Sequence, residues 1–149
     1  MSYTLYESNH EKVALGKELE FLKNYIELER MRYPSDKNIQ FRFPEDKALF
    51  GYFIPPLLTF TFIENAFKYG INPDEDSFVS IEISIIEKNL FLVIENSIVN
   101  LVTLDTSKSE KGIENTKKRL DVFYSGKYSL AITNNKKTFK VELKLSLDD

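Results

Sequence analysis

The sequence predicts an α+β fold: a two-layer α/β sandwich whose mixed, mostly antiparallel five-stranded sheet carries three helices on one face. Two observations predict it. Apolar residues recur at helical spacing in three segments and alternate with polar ones in five others, in the order α-β-α-β-β-α-β-β. Four of those five strands come as two adjacent pairs joined by short polar turns, which favours antiparallel hairpins over parallel crossover units.

From Leu15 to Met31, Leu15, Leu19, Leu22 and Ile26 fall on one helical face, with Glu18, Glu20, Lys23, Glu27 and Arg30 between them. Pro34, Ser35 and Asp36 end this helix, and Ile39, Phe41 and Phe43 alternate with Gln40 and Arg42 as a short strand. A second helix is expected to begin at Pro55 or Pro56, where a first-position proline loses no intrahelical hydrogen bond, and to stop at Gly70. After the linker INPDEDSF, Val79, Ile81, Ile83 and Ile85 turn at Lys88-Asn89 into Leu90, Leu92 and Ile94. The polar stretch from Ser97 to Lys111 has no clear period and is expected to be a mobile loop. Ile113, Thr116, Leu120 and Phe123 predict the third helix. Tyr128, Leu130 and Ile132, then Phe139, Val141, Leu143 and Leu145, predict a closing hairpin across Asn134-Asn135.

The bulk properties exclude several function classes. A chain of 149 residues with 42% hydrophobic and 13% aromatic content suits one domain with a sizeable core. A net charge of -3 and a pI near 5.3 argue against nucleic acid as a partner, because neutralising phosphates takes a surplus of Lys and Arg. With no Cys and a single histidine, His10, neither a thiolate metal site nor a zinc site of several imidazoles can form. No apolar run approaches the roughly 20 residues that cross a bilayer. The start MSYTLYESNHEK also lacks the apolar stretch of a secretory signal. A soluble piece without direct membrane contact is expected.

The segment IPPLLTFTFIENAFKYG is apolar around most of its circumference, yet Thr61, Glu64, Asn65 and Lys68 fall at i, i+3, i+4 and i+7. Tyr69 extends this polar stripe four residues past Asn65. Two readings stay open. One is a Glu64-Lys68 pair on a solvated edge, worth about 0.3–0.5 kcal/mol. The other is a nucleotide site in which the Asn65 amide oxygen binds Mg²⁺ while phosphates supply the charge, with Lys68 and Tyr69 facing phosphate oxygens.

FIENAFKYG resembles the N box of GHKL-type ATP-binding domains, in the ENA-x-K-H/Y-G form found in LytS/YehU-like bacterial sensor histidine kinases. LGKELEFLKNYIELERMRY is similar to the segment that follows their histidine-bearing helices, so the resemblance spans nearly the whole chain. It implies the Bergerat ATP-binding fold, ATP and Mg²⁺ as cofactors, Asn65 as the metal ligand and Glu64 as a general base. LFLVIENSIVN stands where the family has its G1 box. Aligning Leu90, Leu92 and Ile94 puts Asn96 at the place of the Asp that reads the adenine amino group, with Glu95 as the alternative. EKGIENTKKRL resembles the G2 box, where backbone N–H groups at a Gly-rich helix start cradle phosphates. Gly112, Ile113, Asn115, Arg119 and Leu120 match, whereas Glu110 replaces the first glycine, and NNKKTF keeps only Thr138 of the final Gly-Thr pair. Lys117 and Lys118 read as a solvated helix face. An intact N box thus stands beside degraded glycine boxes.

The resemblance implies a protein histidine kinase that transfers the γ-phosphoryl of Mg·ATP to a histidine outside this chain, and thence to a response regulator of the LytTR type. It also implies a homodimer formed through the kinase's own dimerisation domain, and a cytoplasmic location within a bacterial inner-membrane receptor. His10, in SNHEK, reads as an exposed linker residue, residues 1–14 as the connector and 15–149 as the ATP-binding domain. Competing expectations are an anti-sigma-factor serine kinase or stand-alone ATPase, which the KELEFLKNYIELERMR leader argues against. A third is a degenerate domain that keeps the fold and signals by docking.

Overall fold

The computed structural model describes residues 12–34, 38–99 and 106–147, with side chains described from residue 111 in the last stretch. The helices are α1 (Leu15–Met31), α2 (Phe60–Gly70) and α3 (Thr106–Phe123). The strands are β1 (Val13–Ala14), β2 (Asn38–Arg42), β3 (Phe53–Ile54), β4 (Phe78–Ile86), β5 (Asn89–Ser97), β6 (Tyr128–Asn134) and β7 (Thr138–Ser146). A 3-10 turn covers Asp46–Leu49.

Alternating apolar residues build a five-stranded sheet in the order β2-β4-β5-β7-β6, with β2 parallel to β4 and every other pair antiparallel. Its register lines apolar side chains into rows. Ile81 pairs with Ile94, Ile94 with Val141, and Val141 with Ile132. Ile83, Leu92 and Leu143 form the next row, and all three are buried. Leu15, Leu19, Leu22 and Ile26 of α1 and Phe62, Ile63, Ala66 and Phe67 of α2 belong to the same buried cluster. Removing each Leu, Ile or Phe of this cluster from water stabilises the fold by about 1.5–3 kcal/mol before entropy is counted. The expected α+β sandwich, five strands in a mixed sheet and three helices, is what forms among the described residues.

Several boundaries differ from expectation. The turn between β4 and β5 falls on Glu87-Lys88, both at positive φ (50° and 67°), the conformation that matches strand twist in a two-residue hairpin. β1 and β3 form a separate two-stranded ribbon too short to leave a sequence period, and Leu15 N–H donates to the Tyr52 carbonyl beside it. α2 begins at Phe60, not at Pro55 or Pro56, because Leu57 adopts φ 59° and interrupts the helical run. That left-handed conformation costs an L-residue roughly 1–2 kcal/mol. α3 begins at Thr106, so the last part of the expected Ser97–Lys111 loop is helical, and the first residue of that loop closes β5. Residues 100–105, in its middle, lie outside the described residues, as does His10. Among the described residues no helix is long and apolar enough to cross a membrane.

Candidate functional site

Alternation along β5 decides the orientation of its last residues. Leu90, Leu92 and Ile94 are buried under the helices, and Asn96, two residues on, continues the same face at 2% exposure. Glu95 therefore lies on the opposite face of the sheet. Asn96 Nδ2 donates to the Ser97 carbonyl at 2.7 Å. Only the amide nitrogen can donate to a carbonyl, so the bond fixes which arm of the side chain is Oδ1. Above it sits Gly70, where a Cβ would stand 2.7 Å from Asn96 Cβ. The glycine is needed here for close approach. Ser97 Oγ donates to the Gly70 carbonyl at 2.6 Å and accepts the Phe78 N–H at 2.9 Å, tying the end of α2 to β4 and β5. Val99 N–H donates to the Tyr69 carbonyl, so the chain leaving β5 stays against α2.

The polar stripe of α2 splits between neighbours. Thr61 faces α3, its methyl 3.0 Å from where a Cβ on Gly112 would be. Phe60 and Phe67 face α1, their rings 4.8 and 6.1 Å from that of Tyr25. Glu64 lies on the same side and is exposed. Burial first, then the negative charges of Glu29 and Glu64, push the Tyr25 phenol up to about 12. Asn65, between these faces, has its Nδ2 buried with no hydrogen-bond partner among the described residues. An orphaned amide costs about 1–3 kcal/mol, a cost that a bound ligand or an ordered water offsets by completing the bond. A half-turn of the amide exchanges nitrogen for oxygen at that position, so the same group can present a neutral oxygen to a hard cation. Lys68 is exposed and Tyr69 half-buried on the next turn.

The residues expected around the glycine boxes are placed unevenly. Thr138 pairs with Ser97 and its neighbour Phe139 with Asn96, which puts Thr138 at the same end of the sheet as Asn96. Ile113 is half-buried against the core and Asn115 is exposed. Gly112 departs from expectation: it lies inside α3 rather than at a helix start, and its backbone carbonyl accepts Thr116 Oγ1 at 3.0 Å. Its N–H therefore belongs to the helix interior, where it is not free to cradle a phosphate. Arg119, for which the motif leaves a structural or a phosphate role open, sends Nη2 to the Pro56 carbonyl at 2.9 Å, a structural contact.

Sequence reasoning missed the acid that faces Arg119. Glu18 is only 5% exposed, and its Oε2 accepts the Leu57 N–H at 2.8 Å. Burial raises its carboxyl above the ordinary range, while the Leu57 N–H and the Arg119 charge act the other way. Its sequence signal was its place in the helical period, one residue before Leu19 and three after Leu15. A separate cavity of about 600 Å³ opens between α1 and the segment 43–53, lined by Lys17, Lys23, Phe43, Phe50 and Tyr52 among others, and includes none of the expected site residues.

Solved structures share this fold. The catalytic domain of histidine kinase ThkA aligns with TM-score 0.60 at 8% identity, covering 92% of this chain and 95% of that one. The histidine kinase domain of the Erythrobacter litoralis EL346 blue-light activated histidine kinase aligns at 0.59 and 13% identity, covering 91% of this chain and 62% of that one. Full-length ShkA in complex with AMPPNP aligns at 0.59 and 11% identity, over 91% of this chain and 30% of that one. In sequence, the sensor protein LytS of Staphylococcus saprophyticus is 34% identical over 58 residues, which are 39% of this chain and 10% of that protein. A family described as "Histidine kinase" matches residues 1–37. The likeness is to the catalytic domain of a LytS-like sensor histidine kinase. The family match reaches through α1, the helix that carries Glu18, to residue 37.

Proposed function

We propose that this chain is the ATP-binding catalytic domain of a two-component sensor histidine kinase. The supporting observation is the orphaned, buried Nδ2 of Asn65 within the polar stripe of α2, the helix whose last residue, Gly70, packs on the inward-facing Asn96. Bound Mg·ATP would supply the transferable γ-phosphoryl group and the cation that neutralises its charge.

The chain's own residues then bind and orient. Asn65 would hold the cation through its amide oxygen, and Lys68 and Tyr69 would donate to phosphate oxygens. Asn96, its orientation held by the bond from Nδ2 to the Ser97 carbonyl, would accept from the adenine amino group through Oδ1. Thr138, paired with Ser97, would close that end of the site, with Ile113 of α3 as an apolar wall and Asn115, exposed on another face of that helix, as a polar contact. Glu64 remains exposed on α2, in reach of an incoming group as a general base. The phosphoryl acceptor is a histidine outside this chain, on the kinase's dimerisation domain, and the next acceptor an aspartate of a LytTR-type response regulator. In this reading the domain lies on the cytoplasmic side of a receptor in the inner membrane.

Titration with ATP and GTP, with and without Mg²⁺, tests the binding reading, and γ-labelled ATP offered with a separately supplied dimerisation domain tests transfer. ATP preferred over GTP, lost in Asn96→Ala, supports it. The seat of Gly112 inside α3 favours a second reading, a degenerate domain that signals by docking. No binding at millimolar nucleotide selects that one.

A further inference from the structure

Pro56 and Leu57 share one peptide unit, and both of its polar ends are taken by charged side chains from different helices. Glu18 of α1 accepts the Leu57 N–H at 2.8 Å, and Arg119 of α3 donates to the Pro56 carbonyl at 2.9 Å. In a trans peptide these two groups point in opposite directions, so α1 and α3 grip the unit from opposite sides. We propose that Glu18 and Arg119 are positioning residues: a two-sided clasp on the Pro56-Leu57 peptide that fixes where α2 starts and therefore how Asn65 and Lys68 are aimed. This deepens the nucleotide-binding reading and rests on it.

Three observations carry it. Leu57 holds a left-handed φ of 59°, which a branched L-residue keeps only when its surroundings dictate it. The helix that follows has no side-chain cap at Thr59, so its start is set by the chain before it. That chain is built onto the beginning of α1 over several residues: Val13 pairs with Ile54, Leu15 N–H reaches the Tyr52 carbonyl, and Glu18 takes Leu57 one turn later. A shift of α1 thus moves the start of α2, and α3 resists through Arg119. Asn65 sits five residues past the first residue of α2, so a small rotation at the start re-aims it within the same rigid helix.

The test uses the 149-residue chain as Glu18→Ala, Glu18→Gln, Arg119→Ala and the Glu18→Ala/Arg119→Ala double variant. Amide hydrogen exchange across α2 and the affinity for a fluorescent ATP analogue with Mg²⁺ are read well below each variant's melting temperature. Glu18→Ala and Arg119→Ala should each weaken binding about tenfold and speed exchange in the first turn of α2. Glu18→Gln, whose amide oxygen still accepts from Leu57, should stay within about threefold of the parent. The double variant should fall short of the product of the singles, because both act on one peptide unit. Unchanged α2 exchange in a folded alanine variant, or independent multiplicative effects, overturns the clasp. If Glu18→Ala does not fold, Arg119→Ala and Glu18→Gln decide the matter. A parent that binds no nucleotide overturns the proposed function instead, and the exchange data still judge the clasp.

Discussion

Gly70, the last residue of α2, packs directly on the side chain of Asn96, with room between them for a hydrogen and not for a methyl group. The contact brings the polar helix and the polar end of β5 together. Gly70→Ala would place a Cβ 2.7 Å from Asn96 Cβ, and neither partner is a flexible side-chain tip that can swing aside. It should destabilise the chain by about 1–3 kcal/mol despite alanine's better helix propensity. Urea denaturation measures this; a midpoint at or above the parent's would contradict the packing.

Leu57 provides a conformational test. At φ 59° a β-branched residue is the worst choice and glycine the best. Leu57→Ile should lower stability by about 1–3 kcal/mol, and Leu57→Gly should cost less than about 1 kcal/mol, since the side chain is nearly half exposed. Equal melting temperatures for the two variants would show that the left-handed turn is not adopted.

Glu18 sets a pH dependence with a definite sign. Desolvation raises its carboxyl above the ordinary glutamate range, and the Leu57 N–H and Arg119 only partly offset this. The folded chain therefore holds the proton at pH values where the unfolded chain has released it. Stability contributed by this group is full below the ordinary glutamate range and is lost as pH rises through the raised value. Glu18→Gln removes that loss while keeping an acceptor for Leu57. On moving from about pH 4 to pH 7, the parent's unfolding free energy should fall relative to that of the Gln variant. A difference between the two that does not change with pH would contradict the assigned burial.

Much of the fold could be read from the chain because one physical signal, burial on one face, repeats in it. The rows through Ile81, Ile94 and Val141 follow from period-two alternation, and the same alternation carried to Asn96 separates it from Glu95. The α2 stripe was visible because polar residues are conspicuous on a greasy helix. Three features were not visible. The true start of α2 depends on Leu57, whose conformation is held by Glu18, 39 residues earlier, and by the neighbouring bond from Arg119. α3 reaches back to Thr106 through residues with no apolar period, so Gly112 looked like a helix start. Glu18 stood among Glu20, Lys23 and Glu27 as one more polar residue of an amphipathic helix, and its burial is set by a segment remote in sequence.

Asn65 bears the central claim, and its unpartnered Nδ2 makes an unusual combination of outcomes testable. Asn65→Ala deletes a buried Nδ2 that has no hydrogen-bond partner among the described residues, so thermal stability should hold or rise. If the amide serves the cation, the same substitution should abolish the Mg²⁺-dependent part of ATP binding. The decisive measurement is calorimetric titration of the parent and Asn65→Ala with ATP, with and without Mg²⁺, alongside their melting temperatures. A variant as stable as the parent that gains nothing from Mg²⁺ is the predicted result; a variant that binds Mg·ATP as the parent does would contradict it.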